Sequence, residues 1–192
     1  CVQTILPVVS RCYRCRKLTT NSQTCPPCRK ASKVYRLQVG MVYDNDAKVL
    51  LAKLKYDGAQ STALEMAKLL SQRSIFNDQS TFVPVPTATS RVRRRGYDQA
   101  RLIARRLAKQ NQLPYLDCLI RTGQTHQIGA NRHKRLKQLN NAYRLKAINN
   151  VTGMHIVLVD DVSTTGATLE SAALCLKQAG AKQVEAVVFA QA

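Results

Sequence analysis

The sequence predicts an α/β protein: a mostly parallel, doubly wound sheet with flanking helices, carrying a small cysteine-bearing module at its N-terminus. Three observations lead there. Short apolar runs rich in strand-forming residues alternate with stretches of helical period across residues 34–192. One such run, Ile156 to Val159, ends in two adjacent acids and a loop of small and hydroxyl residues. The first thirty or so residues are instead polar and hold closely spaced cysteines, which divides the chain into residues 1–33 and residues 34–192.

In the larger part, residues 34–43 alternate loosely and predict the opening strand. Two helices follow. Asp46 is read as the cap of a run through Lys55 that carries Val49, Leu50 and Leu54 and that Gly58 stops. Ser61 is read as the cap of the next, with Leu64, Ala67 and Leu70 on one face. Phe82-Val83-Pro84-Val85-Pro86 predicts a short buried strand, Thr87 to Ser90 a loop, and residues 97–110 a basic helix. Beyond these, the pattern predicts a strand at 115–120, a polar loop at 121–131, a basic helix at 132–141, strands at 155–159 and 184–190, and a helix at 167–179.

Thirty Lys and Arg against eleven Asp and Glu give a formal charge of +19, more than solubility requires of a domain this size. The excess favours polyanionic partners. Residues 1–36 hold eight basic side chains and no acid, residues 91–109 eight with one acid, and residues 132–146 six with none. Such clusters supply the phosphate contacts of salt-dependent, sequence-independent binding to single-stranded nucleic acid. They also occur on faces that are merely solvated. Tyr13, Tyr35 and Tyr97 lie among these charges and are read as structural residues that could also stack on bases. The apolar runs are short, so neither a membrane span nor a signal segment is expected, and the chain is expected to be cytoplasmic.

Four of the seven cysteines read Cys12-x-x-Cys15 and Cys25-x-x-Cys28. A two-residue gap turns both thiolates of a pair toward one ion, and a segment this short has too little apolar surface to fold without it. Structural zinc is therefore expected on all four, with no position left open for catalysis. Two disulfides are the alternative, disfavoured in a reducing compartment. Pro26-Pro27 is read as excluding a helix between the second pair. Cys118 and Cys175 lie in apolar surroundings and read as buried hydrophobes; Cys1 is outside the pattern.

The stretch Ile156-Val157-Leu158-Val159-Asp160-Asp161-Val162-Ser163-Thr164-Thr165-Gly166-Ala167-Thr168 carries the chemistry. A buried strand delivers two carboxylates to the sheet edge where α/β proteins bind ligands, and the following loop opens a helix whose N-terminus attracts phosphate. A Walker loop does not compete, because no Gly-Lys-Ser/Thr occurs. This run resembles the phosphoribosyl pyrophosphate (PRPP) signature of type I phosphoribosyltransferases. The resemblance implies that fold, with Asp160 and Asp161 on the ribose hydroxyls directly or through Mg²⁺. It also implies that Thr164, Thr165, Gly166, Ala167 and Thr168 cradle the 5-phosphate.

Leu6-Pro7, Lys55-Tyr56-x-Gly58, Val83-Pro84-Val85-Pro86, Arg95-Gly96-Tyr97-Asp98-Gln99-Ala100, Arg121 and Thr125-x-Gln127 extend the likeness across nearly the whole chain. In order, they resemble the ComF family of competence-associated proteins, although Asp98 and Gln138 stand where that family usually shows Asn. By this resemblance Thr87, Ala88, Thr89, Ser90 and Arg95 face the pyrophosphate. Arg91, Arg93, Arg94, Arg101, Arg105, Arg132, Lys134 and Arg135 are the candidates for nucleic acid. Thr164 stands where purine-salvage enzymes of this fold carry an acid that serves the base, and ten aromatic residues without Trp form no evident base pocket. The reading that results is a PRPP-binding protein that handles single-stranded DNA in natural transformation and meets other competence proteins. An active Mg²⁺-dependent transferase with an unknown acceptor, and a PRPP-responsive regulator of DNA binding, use the same residues.

Overall fold

The computed structural model describes residues 9–56, 59–122 and 142–192. Four strands form a parallel sheet: β1 (Leu37–Val42), β2 (Ser80–Pro84), β5 (His155–Ser163) and β6 (Gln183–Gln191), in the order β1-β6-β5-β2. Alternation along the two central strands explains why both sheet faces are covered. Ile156 and Leu158 of β5 point with Val184, Ala186 and Val188 of β6 into one apolar cluster, whereas Val157, Val159, Val187 and Phe189 point into the other. Helices α2 (Asn45–Tyr56), α3 (Ala59–Arg73) and α5 (Gln99–Asn111) close the second cluster with Leu51, Leu54, Met66, Leu70, Ile103 and Leu107. Helix α6 (Ala167–Gln178) covers the first, beside an antiparallel pair of β3 (Leu119–Arg121) and β4 (Tyr143–Leu145). The doubly wound parallel sheet is as expected.

Several boundaries differ from the sequence reading. Asp44, not Asp46, caps α2, its Oδ1 accepting from the Ala47 amide at 2.9 Å. Helix α3 begins two residues before Ser61, which therefore lies inside it; Ala67 and Leu70 are fully buried as expected, but Val49 of α2 is exposed. The predicted strand at 115–120 is reduced to one parallel bridge, Phe82 to Tyr115, followed by β3. Strand β4 carries no periodic signal because it is three residues long and held by its partner.

The basic helix predicted over 97–110 is α5, and an unexpected short helix, α4 (Thr89–Arg95), precedes it, so Thr89 and Ser90 belong to a helix rather than to a loop. Gly96 ends α4 in the left-handed conformation at φ +80°, and Asp98 then caps α5. The Pro26-Pro27 expectation is also corrected: α1 (Pro26–Arg29) is a short helical turn with its prolines in the first positions, where the missing N–H has no helical partner to lose. Arg121, expected to open the loop over 121–131, instead ends β3; the rest of that loop from 123, the helix expected over 132–141, Gly58, Gln127, Gln138 and the residues before 9, including Cys1, lie outside the described residues. Among the described residues no helix is long and apolar enough to cross a membrane.

Candidate functional site

Strand β5 runs four residues beyond its predicted end, so Asp160 and Asp161 lie within the strand rather than past it. The reason is the neighbour on one side only. Pairing with β6 continues through Asp160, Val162 and Ser163, while β2 stops at Pro84 opposite Val159. The two carboxylates therefore stand beyond the last rung on the β2 side, at the C-terminal edge of the sheet, and both are half-buried. Each folds back on the chain: Asp160 Oδ1 accepts from the Asp161 amide at 2.9 Å, and Asp161 Oδ1 from the Val162 amide at 2.8 Å. Burial pushes the Asp160 carboxyl well above the usual range, and the charges of Asp161 and Asp98 push it the same way. Such a group favours a cation or a hydrogen-bond donor in front of it.

The loop from β5 into α6 turns at Gly166, which adopts φ +75° and is buried. Thr164, Thr165 and Thr168 are exposed and Ala167 is half-buried; Thr165 Oγ1 accepts from the Ala167 amide at 3.3 Å. The amides at the start of α6 and these hydroxyls can surround an anion. A methyl group at 166 would lie 2.8 Å from the ring of Tyr13, so this turn is closed from above by the N-terminal segment.

The loop after β2 comes to the same edge, since the Val85 amide donates to the Val159 carbonyl at 2.9 Å. Asp98, an acid among arginines, organises it. Its carboxylate is buried and accepts from the Thr87 amide (2.9 Å), the Thr87 hydroxyl (3.2 Å) and the Arg101 amide (3.4 Å), thereby capping α5 and holding the loop in one arrangement. Thr87, Ala88 and Arg95 are half-buried, while Thr89 and Ser90 are exposed in the first turn of α4. Two further residues border this edge that the sequence pattern does not single out. Ser163 and Tyr143 are nearly fully buried, and neither hydroxyl has a partner among the described residues. The Tyr143 phenol is pushed up to about 12, chiefly by burial, with Asp160 and Asp98 acting in the same sense. Nothing in the pattern marks Tyr143 as part of the site, because burial of a lone Tyr has no sequence signal.

Of the arginines considered for nucleic acid, Arg91, Arg93 and Arg94 are exposed and form no ion pair among the described residues. Arg101 is instead 3.3 Å from Asp117, and Arg105 stacks over Tyr115 at 5.4 Å, so both already serve the fold. Arg132, Lys134 and Arg135 lie outside the described residues. Tyr13 is buried and Tyr97 donates to the Leu54 carbonyl at 2.7 Å, while Arg29 covers the Tyr35 ring at 4.5 Å.

Cys12, Cys15, Cys25 and Cys28 meet with all four sulfurs within 4.8 Å of one another, and Cys15 and Cys25 are 3.5 Å apart. Four thiolates around a tetrahedral ion with bonds of about 2.3 Å stand about 3.8 Å from one another, so the cluster fits one ion. Burial alone would raise the Cys12 thiol, but backbone N–H groups of Cys25, Cys15 and Arg14 outweigh it and hold the thiol down at about 6. The Cys28 thiol is pushed up to about 12, chiefly by the side chain of Cys25. Cys118 and Cys175 pack in the apolar cluster under α6, and burial raises both thiols, as expected of hydrophobes.

The phosphoribosyl transferase domain family matches residues 63–192. The DNA utilization protein YhgH of Salmonella typhi is 30% identical over 96% of this chain and 86% of its own length. Competence protein ComFC of Bacillus subtilis is 30% identical over 88% of this chain and 78% of its own. Among solved structures, the glutamine PRPP amidotransferase of B. subtilis superposes with a TM-score of 0.51 at 19% identity, over 71% of this chain and 30% of that one. A structure described as the allosteric regulatory enzyme of purine biosynthesis superposes with a TM-score of 0.50 at 21% identity, over 71% of this chain and 29% of the other. These two likenesses concern the fold. On its sequence relatives, its transferase domain and its N-terminal four-cysteine cluster, the chain belongs to the ComF family of phosphoribosyltransferase-fold proteins.

Proposed function

We propose that this protein binds PRPP with Mg²⁺ at the C-terminal edge of β5, and that it handles single-stranded DNA in the cytoplasm during natural transformation. The observation that carries the reading is the pair Asp160 and Asp161 standing beyond the end of β2, directly before a glycine turn that opens α6. Asp160 and Asp161 take the ribose hydroxyls, directly or through Mg²⁺. Thr164, Thr165, Gly166, Ala167 and Thr168 hold the 5-phosphate, and Thr87, Ala88, Thr89, Ser90 and Arg95 face the pyrophosphate. Mg²⁺ supplies positive charge to the diphosphate when bound. Zinc on the four cysteines stabilises the N-terminal module, residues 1–33, against the transferase domain, residues 34–192.

The DNA arm of the reading is supported by the +19 charge and by relatives named for competence and DNA utilization. Arg91, Arg93 and Arg94, which form no ion pair among the described residues, add to that support. The relatives' names also make other competence proteins its expected partners. Calorimetric titration of PRPP with Mg²⁺ into the wild type and into Asp160→Ala/Asp161→Ala tests the ligand; binding of single-stranded DNA at two salt concentrations tests the partner. No PRPP heat in the wild type defeats the reading. DNA binding that is indifferent to salt defeats the electrostatic account of the second half.

A second reading, an active transferase, keeps all of the phosphate contacts. In it the C1–O bond of PRPP breaks, pyrophosphate leaves with the bonding pair, and a nitrogen acceptor bonds to C1 and gives up a proton. Thr164 offers no carboxylate to take that proton. Pyrophosphate release that depends on an added acceptor would favour this reading over simple binding.

A further inference from the structure

We propose that Tyr13 and Glu170 are positioning residues through which metal occupancy of the four-cysteine cluster sets the shape of the 5-phosphate loop, so that metal and PRPP bind cooperatively. The inference rests on the PRPP reading above and adds a coupling between its two ligands.

Tyr13 follows the metal-ligating Cys12 directly, inside the first knuckle. That knuckle is closed by the Cys12 amide on the Lys17 carbonyl and the Arg16 amide on the Cys12 carbonyl, both at 2.8 Å. The Tyr13 side chain packs, 5% exposed, in the same apolar cluster as Leu169 and Leu158. Its ring lies on Gly166, the left-handed residue that shapes the loop: an ideal Cβ there would stand 2.8 Å from Cε2 and 3.0 Å from Cδ2. This contact is made to the loop itself rather than to the scaffold around it.

Glu170 anchors the arrangement. It sits in the first turn of α6 and accepts from the Tyr13 hydroxyl, from Arg14 Nη1 at 3.0 Å and from the Lys33 amide at 2.9 Å. Tyr13 and Arg14 belong to the first knuckle; Lys33 follows the second. Both halves of the cluster therefore close on one carboxylate, and Tyr13 Oη also lies 2.7 Å from Ser32 Oγ. A carboxylate in a first helical turn competes with an incoming phosphate for the same positive helix end. Here three donors of the module engage it.

A segment of this size has little folding free energy apart from its metal. When the ion leaves, the knuckles have no reason to keep Tyr13 on Gly166 or Arg14 on Glu170, and the loop loses its cover. Linkage then requires the reverse: PRPP, by favouring the covered loop, must tighten the metal by the same factor.

The test is zinc affinity of the full chain, by competition with a chromogenic chelator in excess Mg²⁺, with and without saturating PRPP. The expected result is zinc held tighter by about fivefold or more in the presence of PRPP, within the usual range of coupling between sites. Asp160→Ala/Asp161→Ala should show no such response, which separates linkage from chelation of zinc by PRPP itself. Tyr13→Ala, checked for one zinc per chain, should bind PRPP about tenfold more weakly. Should it fail to fold, Tyr13→Phe keeps the ring on Gly166 and loses the hydroxyl, and should weaken PRPP by about threefold. Equal zinc affinity with and without PRPP, in a wild type that gives PRPP heat, overturns the coupling. So does an unchanged PRPP affinity in a folded, zinc-loaded Tyr13 variant. A wild type that gives no PRPP heat overturns the PRPP reading as well, and the two failures are thereby told apart.

Discussion

Two loops leave the same edge of the sheet and are held by different means. The loop after β2 is held by its own continuation: Asp98, eleven residues past Thr87, caps α5 and accepts from both the amide and the hydroxyl of that threonine. The loop after β5 is held by a distant part of the chain, because Tyr13 lies on Gly166 and bonds to Glu170 across 157 residues. A local device works whenever its helix forms. The distant one works only when a second module is folded and docked, which makes the loop after β5 the place where the state of another part of the molecule can be felt.

Gly166 and Gly96, one left-handed glycine near each loop, sharpen this contrast from its two ends. Gly166→Ala puts a side chain at φ +75° and drives its methyl into the Tyr13 ring, and is expected to weaken PRPP about a hundredfold in a calorimetric titration. Asp98→Ala removes three accepted hydrogen bonds and should lower stability by about 1–2 kcal/mol, read as a lower denaturation midpoint. Asp98→Asn, which keeps one acceptor, should cost less. If it costs as much as Ala, the charge rather than the cap is what the loop needs.

Asp160→Asn tests the acids between the loops. The folded pKa of Asp160 is raised above its unfolded value, so the wild type loses stability as pH rises from the ordinary carboxylate range through the folded value. The Asn variant should therefore be more stable than the wild type at neutral pH, read as a higher denaturation midpoint, although it is expected to lose PRPP binding. That advantage should vanish as pH falls below the ordinary carboxylate range, where both carry a neutral side chain. A variant no more stable at pH 7 would show that Asp160 is not strained in the ligand-free protein. The smallest effect is expected from Gly96→Ala: φ is +80° there too, but nothing lies within 4 Å, so the cost should be about 1 kcal/mol with PRPP affinity changed by less than about twofold.

Much of the site is legible along the chain because its parts are contiguous. The apolar run before Asp160 predicts a buried strand, two acids at its end predict a ligand edge, and Gly166 predicts the turn. The boundaries that differ have local causes. Strand β5 runs on through the acids because β6 continues beside it, which no feature of residues 160–163 announces. Asp98 has the spacing of a cap, with Arg101 three residues on, but the predicted helix begins at Tyr97 and so takes Asp98 into its first turn. Pro26-Pro27 reads as a helix breaker, whereas in the first turn proline breaks nothing.

By itself the sequence determined the order of the four sheet strands and of α2, α3, α5 and α6, the cysteine spacing that can hold one ion, and the acid pair with its glycine turn. Each is set by residues within a few positions of one another, where backbone periodicity and side-chain reach leave few choices. Only the tertiary structure decided that Tyr13 rests on Gly166, that Glu170 gathers three donors from the cysteine module, and that Arg101 is spent on Asp117. These contacts form when the sheet and its cover close in three dimensions, and no period along the chain connects one partner with the other.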